Sequence, residues 1–143
     1  MPGPWRGGRG AAVSDSLKKI SAMSLFVENL HEAKSFYQDV FDVQVVHEDE
    51  VSVAVKFDNL IINLLQVSEA SALVEPGVVT GSDAGSRFQL SIWVDDVDAV
   101  CHHLEKRGVR LLSGPADREW GMRVATFTDP AGHSWEVAQG LDN

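Results

Sequence analysis

SLFVENLHEA, residues 24–33, returns later in the chain as SIWVDDVDAV, residues 91–100. Ser24 falls on Ser91, Phe26 on Trp93, Val27 on Val94, Glu28 on Asp95 and Leu30 on Val97. A second echo follows in the same order. LIINLLQ (60–66) aligns with HSWEVAQ (133–139), which sets Ile62 on Trp135, Asn63 on Glu136, Leu64 on Val137 and Gln66 on Gln139. Identity is weak, but the alternation of apolar and polar positions holds at the start and end of both copies. Two matches in the same order read as an internal duplication.

Each copy has one grammar. Met23, Leu25 and Val27 alternate with Ala22, Ser24 and Phe26, the period of a strand. A helix then starts at an Asx residue. Asn29 precedes LHEAKSFYQDVF, with Glu32 three residues on, resembling a capping box. Asp96 does the same for VDAVCHHLEKR, which stops at Gly108. Leu30, Ala33, Phe36, Tyr37 and Val40 form an apolar stripe on the first helix, and Val97, Val100, Cys101 and Leu104 on the second. Three strands follow in each copy. They are expected near VQVVHE, VSVAVKF and LIINLLQ, with Asp58-Asn59 as a two-residue hairpin turn, and near VRLLS, MRVATFT and SWEVAQ. The expected fold class is therefore α+β, βαβββ twice.

The 143 residues suit one domain with a real core. Residues 1–16, rich in Gly and Pro, are expected to be disordered. The domain is expected over 17–141, with module one at 17–67, a small-residue linker at 68–86 and module two at 87–141. A net charge of −9 argues against a nucleic-acid partner and suits a neutral or cationic ligand. Cys101 is the single cysteine, which excludes an intrachain disulfide and a thiolate metal cluster. No apolar run reaches membrane-spanning length, and MPGPWRGGRGAAVSD has no apolar core of a secretory signal. A cytoplasmic location is the expectation.

Strand parity sorts the residues by face. With Asp58 and Asn59 in the turn, Phe57 pairs with Leu60, Val55 with Ile62 and Val53 with Leu64, all on the helix-packed face. Ala54, Lys56, Ile61 and Asn63 then take the other face. By the same logic Gln89, Ser91 and Trp93 lie opposite Leu90, Ile92 and Val94, and Ser134 and Glu136 lie opposite Trp135 and Val137. The turn FTDPAGH leaves open whether Val124 and Thr126, or Arg123, Ala125 and Phe127, share the face of Glu136. Aromatics at matching positions of the repeat, Phe26 and Trp93, amid placed polar groups make a mixture that suits a ligand pocket. The five histidines read as surface residues, and Asp129 and Gly132 as turn formers.

EWGMRVATFTDPAGHSWEVAQ (119–139) resembles the W-G-x-R…F-x-D-P-x-G-x-x-x-E closing signature of the vicinal-oxygen-chelate superfamily, also called the glyoxalase, bleomycin-resistance and dioxygenase superfamily. V-E-N-L…F-Y at Val27 to Tyr37 and V-D-D-V-D-A at Val94 to Ala99 are similar to its two module signatures. The resemblance covers roughly Leu17 to Leu141 and implies a glyoxalase-like incomplete barrel. It places the metal-ligand positions of metal-dependent members on Ala22, Asn63, Gln89 and Glu136. Ala22 cannot bind a metal, and two amides beside one carboxylate make a poor donor set. No catalytic metal is therefore expected; if a divalent metal binds, Asn63, Gln89 and Glu136 would hold it. The resemblance implies a homodimeric small-molecule-binding protein of the bleomycin-resistance kind, for an antibiotic-like or planar metabolite. Phe26, Asn63, Gln89, Ser91, Trp93, Trp120 and Glu136 would contact the ligand. The alternative is a metal-dependent glyoxalase-like lyase, isomerase or transferase acting on a vicinal-oxygen substrate, with Glu136 as the catalytic group.

Overall fold

The computed structural model describes residues 10–141. After a short helix α1 (Gly10–Asp15), the first module runs β1 (Ala22–Val27), α2 (Leu30–Phe41), β2 (Gln44–Glu48), β3 (Ser52–Lys56) and β4 (Ile61–Gln66). A helix α3 (Val67–Val74) and a 3-10 turn (Ser82–Ala84) lead to the second module. It runs β5 (Gln89–Trp93), α4 (Val97–Lys106), β6 (Ser113–Asp117), β7 (Met122–Thr128) and β8 (Ser134–Gly140).

The duplication is visible in the topology. Two four-stranded sheets have the orders β1-β4-β3-β2 and β5-β8-β7-β6. In each, the first strand pairs in parallel with the last, and the other pairs are antiparallel. The sheets do not close into one barrel. The caps form as expected: the Asn29 side chain accepts from the Glu32 N–H at 3.0 Å, and that of Asp96 from the Ala99 N–H at 3.1 Å. The Asp58-Asn59 turn sets the expected register, with Val55 opposite Ile62 and Val53 opposite Leu64.

The helix-packed faces of the two sheets share one core. Leu25, Val27, Val53, Val55, Ile62 and Leu64 are buried from the first module, and Phe127, Trp135 and Val137 from the second. Aromatic rings join the modules. Phe41 lies 4.8 Å from Trp135 between ring centroids, and Phe57 lies 6.0 Å from it in a stacked arrangement. Such pairs contribute about 0.5–1.5 kcal/mol each beyond their buried area. Helix α4 touches α2 through the His103 ring, whose Nε2 lies 2.9 Å from the Val40 carbonyl oxygen.

Two expectations are corrected. Within the segment expected to be disordered, residues 10–15 are helical, while residues 1–9 lie outside the described residues. The linker carries a helix: VSEASALV forms α3, which packs on β1 and β4 and buries Ala70 completely. Small side chains let that helix approach the sheet. The first strand of the second module's hairpin begins at Ser113, not Val109. Val109 is buried and Leu111 packs on the core, so these two residues serve as an inward connector. Pro115, which lacks an N–H, is tolerated because β6 is an edge strand. Gly114 sits beside it with φ of 83°, and a Cβ there would run into the Val124 carbonyl.

Candidate functional site

The helix-free face of the second sheet is built in rows. Ser91, Glu136, Thr126 and Ser113 stand level across the four strands. Val124 and Thr126 therefore share the face of Glu136, which resolves the alternative left open by the turn. The Ser91 hydroxyl donates to Glu136 Oε1 at 2.9 Å, and the Ser113 and Thr126 hydroxyls lie 3.0 Å apart. On one side of this polar row Gln89 Nε2 donates to Ser134 Oγ at 3.1 Å. On the other, Trp93, Ala138 and Val124 form an apolar row. Trp93 is 80% exposed.

The first sheet carries a related but weaker face. Ser24, Asn63 and Ala54 stand level. A bulge in β2 turns His47 onto the same row, where it lies opposite Ala54. Phe26 is one row further, level with Leu65. The four positions expected on one face thus fall on two sheets, Ala22 and Asn63 on the first, Gln89 and Glu136 on the second. Trp120 is 68% exposed in the loop before β7.

Two concavities flank the sheets. One is a cavity of about 300 Å³ between the C-terminal end of β1, residues 131–134 and the linker. The other is an open cleft of about 730 Å³ between residues 41–44, residues 56–59 and Ser91-Ile92 of β5. They occupy equivalent places in the duplication, each between a first strand and the other module's last hairpin turn. The linker borders the first and not the second. Of the seven expected ligand residues, Phe26 lines the cavity and Ser91 the cleft.

The turn before β8 holds more than turn geometry. The Asp129 carboxylate is buried and accepts from Tyr37 Oη at 2.6 Å, from the Ala131 N–H at 3.0 Å and from the His133 N–H at 2.9 Å. His133 Nδ1 lies 2.8 Å from the same carboxylate. Tyr37 Oη in turn accepts from Trp135 Nε1 at 3.1 Å. Burial raises the pKa of Asp129, but the hydrogen bonds from His133 and Tyr37 outweigh it and hold the carboxyl below its usual range. Burial, and then the charge of Asp129, push the Tyr37 phenol far above its ordinary value. His133 is therefore corrected from a surface residue to a largely buried one, with a side chain 15% exposed.

The model of one family, the glyoxalase/bleomycin resistance protein/dioxygenase superfamily, matches residues 19–137. The chain belongs to this superfamily. It is 33% identical over 128 residues to the uncharacterized protein YraH of Bacillus subtilis (strain 168), covering 86% of this chain and 99% of that one. Its fold is similar to a glyoxalase/bleomycin resistance protein/dioxygenase from Nocardioides, with a TM-score of 0.76, 18% identity and 93% of each chain covered. It is also similar to lactoylglutathione lyase from Agrobacterium tumefaciens, with a TM-score of 0.69, 25% identity and 86% and 94% of the two chains covered. The superfamily often uses a divalent metal, binds small molecules and often forms dimers. No helix among the described residues is long and apolar enough to cross a membrane.

The donor set does not fit a metal of that kind. Ala22 offers no ligand atom. Asn63 and Gln89 offer only neutral amide oxygens. A divalent transition ion favours imidazole or carboxylate donors, and of the superfamily positions only Glu136 supplies one.

Proposed function

We propose that the chain binds a small planar molecule on the helix-free face of the second sheet, as a bleomycin-resistance-like protein without a catalytic metal. Trp93 carries the reading. An indole 80% exposed on a sheet face, beside the Ser91–Glu136 pair, is apolar surface that a ligand or a second copy would cover. The ring face and a neighbouring carboxylate suit a cationic aromatic molecule through cation–π contact and charge. The net charge of −9 draws such a ligand in. Gln89 and Trp120 would flank it.

Phe26 and Asn63 belong to the other sheet. The superfamily often forms dimers, and a homodimer in which the first sheet of one copy faces the second sheet of the other would add them to the site. A cytoplasmic location is part of this reading. Titration with basic aromatic antibiotics should quench Trp fluorescence saturably, and Trp93→Ala should abolish most of the quenching. If the variant quenches as the parent does, the ligand face is misassigned.

The similarity to lactoylglutathione lyase at 25% identity favours a second reading, a metal-dependent lyase or isomerase with Asn63, Gln89 and Glu136 around the ion. Protein purified without added metal separates the two. Tight stoichiometric metal, or activation by Ni, Zn, Mn or Fe, would support the second reading and sink the first.

A further inference from the structure

His133 is the one member of the Tyr37–Asp129 network that also lines a cavity, the one bordered by the linker. Its tautomer is set from behind. An ionised Asp129 can only accept, so His133 Nδ1 carries the proton of their 2.8 Å contact. Asp129 is itself held by the Ala131 and His133 N–H groups and by Tyr37 Oη, so it fixes the ring in place. In the neutral ring Nε2 is then a lone-pair acceptor. It makes no hydrogen bond among the described residues, yet it is not sealed off as a buried unpartnered atom. The side chain is only 15% exposed and lines the cavity, so this acceptor is what the ring offers to a molecule inside.

The wall around it is apolar. Phe26, Val67, Val74, Val79 and Ala131 line the cavity as partly buried side chains. Phe88 lies 6.2 Å from the His133 ring between centroids, so an aromatic surface borders the acceptor. The Ser134 hydroxyl on the same wall already accepts from Gln89. Glu28 and Arg87 are exposed and opposite in sign, so they give the cavity no preferred charge. At about 300 Å³ it lies at the small end of ligand pockets and accommodates a single ring with a short substituent.

We propose that this cavity binds a neutral one-ring phenol, whose hydroxyl donates to His133 Nε2 and whose ring lies among Phe26, Phe88, Val74 and Val79. The contact needs no charge on either partner. Of the residues assigned to the Trp93 face, only Phe26 is shared. The ligand classes differ as well, one neutral and one cationic, so the two assignments fail independently.

The test is calorimetric and NMR titration of the intact chain at about pH 8, above the ordinary imidazole range. The probes are p-cresol and p-methylanisole, the same ring with its hydroxyl methylated. The phenol should saturate below about 10 mM and bind about three- to tenfold more tightly than the ether, the worth of one neutral hydrogen bond. It should shift the amide resonances of residues 78–88 and 131–134 and leave the Trp93 indole resonance in place. The ring-nitrogen shifts of His133 should show Nδ1 protonated and Nε2 bare. His133→Asn keeps an amide N–H where Nδ1 donates to Asp129 but removes the acceptor, so it should bind the phenol only as well as the ether. Phe88→Ala should weaken both probes by the same factor. Equal binding of phenol and ether by the parent would overturn the proposal. So would a His133→Asn variant that still prefers the phenol, a His133 ring protonated at Nε2, perturbation centred on Trp93, or no saturation.

Discussion

Removing one oxygen atom tests the joint between the modules. Tyr37→Phe keeps the ring among Phe36, Phe41 and Trp135 but deletes the hydroxyl. Asp129 loses a 2.6 Å donor, and Trp135 Nε1 loses its acceptor. A hydrogen bond to a charged group contributes about 1.5–3 kcal/mol, and an orphaned buried donor costs about 1–3 more. The expected loss is about 3–5 kcal/mol at pH 7, or about 10–17 °C in Tm for a domain of this size. Urea denaturation should show a lower midpoint with an unchanged slope. A second arm makes the reasoning sharper. The folded phenol has a raised pKa, so above pH 10 only the unfolded chain loses this proton. Stability of the parent then falls by about 1.4 kcal/mol per pH unit from this group, and the variant escapes that part of the fall. The gap between the two proteins should close as pH rises. Tyr37 is the only tyrosine, so tyrosinate absorbance should appear together with unfolding. A gap under about 1 kcal/mol at pH 7 is too small for a buried charged hydrogen bond and refutes the reasoning. A gap that stays constant above pH 10 does the same.

Other outcomes follow from the same structure. Asp129→Asn should flatten the acid limb of the stability profile, because the depressed carboxyl stabilises the fold above its unfolded pKa and loses that contribution as pH falls through the folded one; pH-resolved urea melts check it. Gly114→Ala should cost about 1–3 kcal/mol or more, since both the positive φ and the Val124 carbonyl oppose a side chain; thermal melts read it directly. Asn29→Ala should cost about 0.5–2 kcal/mol through the lost cap on α2. Leu64→Ala, at a fully buried position, should cost about 2–5 kcal/mol in equilibrium unfolding.

Local chemistry made much of this fold readable. The Asx caps and the Asp58-Asn59 turn use residues with few other roles, and period-two alternation sorted β1, β4, β5 and β8 correctly by face. Three things had no local signal. The linker helix α3 is made of small residues whose helicity depends on the sheet they pack on. The face of β7 depended on the length of a turn that its neighbours do not specify. The network of Tyr37, Asp129, His133 and Trp135 joins residues far apart in sequence. A clue was available, because Tyr37 and Trp135 both lay on packed faces and each has a polar tip that needs a partner when buried. Asp129 was credited only with the turn, although its buried carboxylate also serves both side chains. The duplication put Asn63 and Glu136 on separate sheets from the start, but parity orders a strand and says nothing about how two sheets face.

The aromatic core has a consequence for the halves as objects. Each module carries only part of its own interior, since Phe41 and Phe57 of one are seated on Trp135 of the other. A chain cut within residues 77–81 would yield two fragments, each exposing aromatic surface shaped for its mate. Neither would be expected to fold alone, and mixing them should restore one cooperative species. The duplication thus gave rise to two complementary pieces of one folding unit, joined along a seam that includes the Tyr37–Asp129 contact and the seat of Phe41 and Phe57 on Trp135.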